Sequence, residues 1–306
     1  MSSEWTDRSP HRTGYVRVPG ARLQYLDWGG RGPPLILIHG YGDNPHAFDE
    51  LAEPLRRHFR VLAYARRGHG RSSARGPYTA ETFTRDLRAF LDALGTRRAT
   101  LAGWSMGGNE ITEMAGTYPE RVDRIVYLDG GYDWSDPDWI RATHAFPGPT
   151  AVPKSALRSH SAYRRFIRSV LPDVPRASSI DAYVDGSVAV RANGTVRPYI
   201  SDRRLAALAQ ALLSIPRRYD RVRAPALAIF ARTFAPIEGV SPTQRAKNRA
   251  WERDYARPFR RKSIARLRRE LPRVRCVTVE GSHASFFYRN PREVTDLIVR
   301  FQATPR

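Results

Sequence analysis

The chain is short of cysteine, lysine, acidic residues and long apolar runs, and each shortage excludes something. Its one cysteine, Cys276, cannot form an internal disulfide, so no covalent framework holds the fold. Cys276 stands inside the apolar pattern Val274 to Val279, where a small buried hydrophobe is the expected role. No apolar stretch approaches the length of a membrane span, and the mean hydropathy is -0.52. Met1 to Arg12 is polar and has no apolar run of the kind a secretory signal carries, so the cytoplasm is the expected location. Acidic residues number 30 against 51 basic ones, for a net charge of +21. Such an excess suits nucleic acid, anionic membranes or acidic substrates. Yet only Lys154, Lys247 and Lys262 are lysines, and the arginines are spread along the whole chain. The densest cluster, Arg260, Arg261, Lys262, Arg266, Arg268 and Arg269, falls on one expected helix with Phe259 as its only neighbouring aromatic. That lacks the interleaved stacking rings of a nucleic-acid surface. An arginine-biased composition, mostly on solvated helix faces, accounts for the charge, and no specific nucleic-acid partner is expected. Oligomeric state is not legible.

What is present begins with size: 306 residues at 41% hydrophobic content can bury a full core, as one domain or one domain with an insertion. Tyr15 to Val18 and Leu23 to Leu26 alternate around Pro19-Gly20 as a hairpin does. Continuous apolar runs follow at Leu35 to Ile38, Val61 to Tyr64, Ala99 to Ala102 and Ile125 to Leu128, as in strands covered on both faces. Between them lie helical patterns, such as Phe83, Leu87, Phe90, Leu91 and Leu94 ahead of Gly95. Apolar strands alternating with amphipathic helices give a mostly parallel sheet with helices on both faces, an α/β fold. The rhythm breaks between Tyr132 and Arg223, with helical hints only at 162–171 and 203–213, and resumes at Ala226 to Phe230. The expected organisation is therefore a core of residues 1–131 and 224–306 and an inserted helical cap, 132–223, lying over the site. After Trp251, Tyr255 and Phe259 come the strand Val274 to Val279 and a helix opened by Asn290-Pro291 and bearing Val294, Leu297, Ile298 and Phe301.

The most informative stretch is Ala99 to Glu110, A-T-L-A-G-W-S-M-G-G-N-E. An apolar strand enters Gly103-Trp104-Ser105-Met106-Gly107, and Ile111, Met114, Ala115 and Tyr118 then recur at helical spacing. Serine between glycines is also an ordinary loop; the flanking strand and helix favour a sharp, strained turn instead. Such a turn tolerates no bulk two residues either side of the serine, and it lifts Ser105 Oγ clear of the sheet with the Met106 N–H aimed over it.

The chain resembles the α/β-hydrolase fold superfamily from about Tyr15 to Phe301. His39-Gly40-Tyr41-Gly42 is similar to its H-G-x-G loop, and Arg67-Gly68-His69-Gly70-Arg71-Ser72 to its R-G-x-G-x-S loop. Gly103 to Gly107 matches its nucleophile elbow, and Gly281-Ser282-His283 its catalytic-histidine loop. The resemblance implies a Ser-His-acid triad. The residues themselves agree, because a serine hydroxyl needs a base and imidazole suits that task near neutrality. Of eight histidines, His283 lies just beyond a buried strand near the chain's end, while His39 and His69 are better read as structural. The developing oxyanion would meet the backbone N–H groups of Tyr41 and Met106. Here the sequence departs from the commonest pattern: Ala231 to Pro236, after the strand that follows the insertion, offers no carboxylate before Glu238. Asp129 ends the strand before the insertion, where some relatives carry their acid, and it keeps the order serine, acid, histidine. Asp129 is therefore favoured over Glu238, with Asp133 and Asp136 as ordinary loop acids.

A serine at position 105 argues against the carboxylate-nucleophile chemistry of epoxide hydrolases and haloalkane dehalogenases of this fold. The expected function is hydrolysis of an ester or lactone through an acyl-enzyme, with no cofactor and no metal. Carbon–carbon bond hydrolysis, hydroxynitrile lysis and a non-catalytic ligand receptor stay open as alternatives. Trp134, Trp139, Phe146, Tyr163 and Phe166 in the insertion favour a mainly apolar, neutral substrate, although any of them would equally serve as the cap's own core.

Overall fold

The computed structural model describes residues 10–149, 151–176 and 180–305. Most of the polar segment Met1 to Arg12, on which the expected location rests, lies outside them. Strands β1 (Arg12–Val18), β2 (Ala21–Gly29), β3 (Pro34–Ile38), β4 (Arg60–Tyr64), β5 (Ala99–Trp104) and β6 (Val122–Leu128) precede the insertion. The insertion holds a short hairpin, β7 (Val188–Val190) and β8 (Val196–Pro198), and β9 (Ala226–Thr233) and β10 (Val274–Ser282) follow it. Eight strands form one sheet in the order β1-β2-β4-β3-β5-β6-β9-β10. Pairing is antiparallel at β1–β2 and β2–β4 and parallel from β4 to β10. The hairpin turns at Gly20, whose φ of 73° suits glycine.

The central strands β5 and β6 are buried along their whole length, which explains their unbroken apolar runs. Alternate residues feed two cores. Leu35 and Leu37 pack on one face with the helices Asp49–Leu55 and Pro291–Gln302, and Ile36 and Ile38 on the other with Ala80–Ala93 and Gly107–Thr117. Each such side chain contributes about 1.5–3 kcal/mol by leaving water. The chain runs from β3 outward to β4, then returns across β3 to β5 and proceeds the other way. The loops beyond β3 and β5 therefore part at a topological switch point, where an open α/β sheet forms its crevice. Cross-strand partners Ile38 and Gly103, Trp104 and Leu128, and Thr233 and Ser282 bring the strand ends to one edge.

The insertion leaves the sheet at the end of β6 and returns at β9, the neighbouring strand. Its helices are Pro137–His144, His160–Val170, Asp181–Ser187 and Asp202–Ser214; the sequence indicated only the second and fourth, each to within one or two residues. The hairpin β7–β8 has three residues a side, too few for an alternation to register.

One expectation is corrected: Cys276 is only partly buried, because β10 is the edge strand. Most of the described arginines are exposed or partly exposed, as expected, but Arg66, Arg67, Arg124, Arg217 and Arg260 are buried. On the basic helix Arg257–Glu270, Arg260 pairs with Glu252, Arg266 with Asp133 and Glu270, and Lys262 with Asp136 and Asp138. Among the described residues no helix is long and apolar enough to cross a membrane.

Candidate active site

Among the described residues, two that are not glycine have positive φ: Ser105 at 52° and Asp129 at 45°. Backbone strain of this kind costs on the order of 1–3 kcal/mol and persists only where the surroundings enforce it. At Ser105 they do. A Cβ on Gly103 would collide with the Gly107 backbone, one on Gly107 with the Ile38 carbonyl, and one on Gly108 with the Gly130 carbonyl. The helix Gly107–Thr117 is thereby pressed onto β3 and β6, and the turn before it has no room to relax. The Ser105 N–H donates to the Leu128 carbonyl (3.2 Å), tying the elbow to the end of β6.

Asp129, the residue after β6, is 1% exposed. Its Oδ2 lies 2.6 Å from His283 Nδ1, while Oδ1 accepts from the Tyr132 hydroxyl (2.8 Å) and the Ala231 N–H (3.1 Å). Three donors thus fix the carboxylate, one of them from the strand after the insertion. No acid occupies that strand's end; Phe234 stands there and stacks on the His283 ring, with centroids 4.1 Å apart and planes 12° from parallel. The Phe234 carbonyl accepts from the His283 N–H (3.3 Å), and the Trp104 indole N–H donates to the His283 carbonyl (3.0 Å). The imidazole is thus held from both sides. Glu238 lies elsewhere: its carboxylate is 2.7 Å from the Arg289 guanidinium, and its side chain is 67% exposed.

Tyr41 and Met106 sit in the two loops that meet beside Ser105. The loop after β3 packs against Ser105, since a Cβ on Gly40 would lie 3.3 Å from Ser105 Cβ. Behind it, His39 donates from Nδ1 to the Gly40 carbonyl (2.9 Å) and accepts the Arg66 N–H at Nε2 (3.2 Å), which makes it a neutral ring. Burial and the Arg66 charge hold its pKa well below the usual histidine value, and the same causes push His69 down to about 3. Their ring centroids are 4.8 Å apart. Arg66 itself donates to Glu110 (2.6 Å) and to the carbonyls of His39 and Gly40. The loop is braced by buried charge rather than by apolar packing alone. Tyr41 is fastened to the insertion through its hydroxyl, which donates to the Leu205 carbonyl (2.8 Å), and Met106 packs on Phe83 and Leu208.

The structure brings Ser105, Asp129 and His283 to neighbouring strand ends and leaves Glu238 on the surface. Asp133, read as an ordinary loop acid, is buried and accepts from the Arg217 N–H (3.1 Å), from Ser135 and from Arg266. Of the insertion's aromatics, Trp134 comes within 6.2 Å of the His283 ring, whereas Trp139 packs on Phe234 and Phe259, and Phe146 on Trp251. Tyr163 and Phe166 join the core cluster of Phe48 and Phe287. Sequence reasoning missed Tyr132 and Phe234. Tyr132 carried a signal, lying three residues past an acid at a strand end; Phe234 carried none beyond the missing carboxylate.

A family model described as the alpha/beta hydrolase fold matches residues 33–174, from β3 into the insertion. The match covers just under half of the chain, and what it shows together with the structural superpositions is the alpha/beta hydrolase fold. Among curated relatives it is similar to a protein of Mycobacterium phage D29 provisionally named a non-heme haloperoxidase. The two are 38% identical over 117 residues, 38% of this chain and 42% of that protein. A human serine hydrolase-like protein is 35% identical over 118 residues, 37% of this chain and 58% of its own length. The matches thus span less than two thirds of these relatives. Among solved structures, E-2-(acetamidomethylene)succinate hydrolase superposes with a TM-score of 0.72 at 22% identity, covering 96% of this chain and all (100%) of that one. The enol-lactonase of Burkholderia xenovorans LB400 superposes with a TM-score of 0.62 at 24% identity, covering 95% of this chain and 100% of its own. At these identities the structures bear on fold alone.

Proposed function

We propose that the protein is a serine hydrolase that cleaves a carboxylic ester or lactone through an acyl-enzyme. The observation that carries this is the Asp129–His283 hydrogen bond, made at the strand end beside Ser105, which among the described residues is the one serine held at positive φ. In the proposed reaction His283 takes the Ser105 hydroxyl proton as Oγ attacks the substrate carbonyl. The oxyanion is held by the N–H groups of Tyr41 and Met106, and each such donor is worth about 3 kcal/mol. Collapse expels the alcohol, protonated by His283, and water then repeats the sequence on the acyl-enzyme. Asp129 keeps the imidazole in the tautomer with its proton on Nδ1 and stabilises the imidazolium. No metal and no cofactor enters.

Residues 132–223 are proposed as the cap over this site, with 1–131 and 224–306 as the core. Supporting this are the bonds from the insertion to the site loops: Leu205 to Tyr41, and Arg204 to the Gly68 carbonyl (3.1 Å). The aromatic wall of Trp134 and Phe234 around His283 favours a mainly apolar group.

The test is covalent labelling by a neutral fluorophosphonate together with turnover of a panel of esters and lactones. Labelling of Ser105 that vanishes in Ser105→Ala, with turnover of a panel member, supports the proposal. Labelling that persists in that variant, or no turnover on the whole panel, overturns it in favour of carbon–carbon cleavage or a ligand receptor.

A further inference from the structure

One carboxylate beside the nucleophile has no place in that reaction. Asp43 follows His39-Gly40-Tyr41-Gly42 at the end of β3, and the point where a Cβ on Gly40 would stand is 2.5 Å from Asp43 Oδ2 and 3.3 Å from Ser105 Cβ. Asp43 and Ser105 are both only partly buried, so each presents some surface. Oδ1 accepts from the Tyr183 hydroxyl (2.6 Å), on the insertion helix Asp181–Ser187; Oδ2 accepts no hydrogen bond among the described residues. The groups that feel its charge are Tyr163 and Tyr183 from the insertion, Tyr288 from the helix Phe286–Arg289, His283 from the loop after β10, and Arg66 after β4. Arg66 is committed to Glu110 and to two carbonyls, and His283 to Asp129, so among the described residues no cation is bonded to Asp43. Burial pushes its carboxyl up to about 6, which leaves it largely charged at neutral pH.

A charged carboxylate with an open oxygen, a single hydroxyl donor and tyrosine rings around it feels the Arg66 charge but has paid a desolvation cost without a bonded counter-charge. An ammonium group would supply one, and aromatic faces favour a quaternary nitrogen in particular. We propose that Asp43, held by Tyr183, forms an anionic subsite beside Ser105 that takes a cationic ammonium on the acyl part of the substrate and rejects a carboxylate there. The inference rests on Ser105 being the nucleophile. A purely structural Asp43, serving only to anchor Tyr183, makes a different prediction, because Asp43→Asn keeps an acceptor for the tyrosine and removes only the charge.

The experiment uses three phenyl esters: trimethylammonioacetate, 3,3-dimethylbutanoate, which has the same shape with carbon in place of nitrogen, and hemisuccinate. For slow esters, competition against fluorophosphonate labelling gives the same ratios. At pH 7.5, with each kcat/KM divided by that ester's own hydroxide-catalysed rate because the ammonium activates its carbonyl, the wild type is expected to prefer the ammonium ester over its carbon isostere at least tenfold. In Asp43→Asn that ratio should fall to about one, while hemisuccinate should gain at least threefold relative to the isostere. In the wild type the preference should fade as the pH drops below about 6, where Asp43 becomes neutral. Any loss of the shared attacking machinery at low pH affects all three esters and cancels from the ratios. A wild-type ratio near one, or a ratio that survives Asp43→Asn, overturns the subsite. Labelling of wild-type Ser105 separates the failures: intact labelling with a flat ratio removes only Asp43, and absent labelling removes the nucleophile and the subsite together.

Discussion

The outside of this protein and the inside of its site carry opposite charge. The chain as a whole is at +21, yet the surroundings of the elbow include the carboxylates of Asp129 and Asp43, and the buried His39 and His69 are kept neutral. Of the buried arginines, Arg66, Arg217 and Arg260 are consumed by carboxylates and carbonyls of the scaffold. Net charge is therefore a poor guide to the substrate here. Exposed charges act through a field that salt screens within about 8 Å, and the insertion proposed to cover the site is tied to the loop after β3 by hydrogen bonds.

The comparison breaks most sharply at Asp129. Replacing it with Asn is expected to preserve the fold and lower kcat on the order of 10⁴-fold, whereas Glu238→Gln should change kcat less than about twofold. Steady-state kinetics on both variants decides between them, and a crippled Glu238→Gln with a mild Asp129→Asn would move the acid to the surface. A smaller effect tests whether the interior arginines are structural. Arg66→Met leaves Glu110 buried without its partner and should cost about 3–5 kcal/mol in denaturant unfolding. A loss below about 1 kcal/mol would show that the pair is not truly buried.

Next comes pH. His69 has a folded pKa of about 3 against 6.5 in the unfolded chain, so the folded state binds fewer protons between those values. Its contribution is complete above 6.5 and is lost as the pH falls toward 3. By pH 4.5 the loss should be on the order of 2–3 kcal/mol. The Tm of the wild type should fall more steeply over that window than the Tm of His69→Gln; parallel curves would mean that the ring is not buried in the neutral form. The smallest expected effect is that of salt. Between 50 and 500 mM, kcat/KM for a neutral ester should change less than about twofold. A strong preference for an anionic ester that collapses with added salt would show the surface charge reaching the site after all.

Much of the frame was legible because it rests on contacts local to a strand end. Gly103 and Gly107 are demanded by the backbones that crowd them, and His283 by its place after the last strand. Asp129 was nominated by position alone; the Tyr132 and Ala231 bonds that hold it join residues on both sides of the insertion. Asp43 was invisible for a related reason. In sequence it is one more polar residue after a glycine, and Tyr183, which gives it meaning, lies 140 residues away. Buried arginines were missed because an arginine-rich chain offers no contrast between those on the surface and those within.

The chain leaves the sheet at Leu128 and re-enters on the adjacent strand, where Leu128 and Ile229 are register partners. The 97 residues between those strands thus form a single excursion closed at its base, and exchanging it would alter no strand register. In the proposed reaction the acid stands at the foot of the excursion, and the nucleophile and base stand on other loops. Such an arrangement lets the apparatus that selects a substrate diverge while the apparatus that attacks it stays fixed. The interchangeable stretch has inner limits, since Tyr132 bonds Asp129 and Arg217 bonds the Gly130 and Tyr132 carbonyls. A graft made between residues 137 and 216 would respect them.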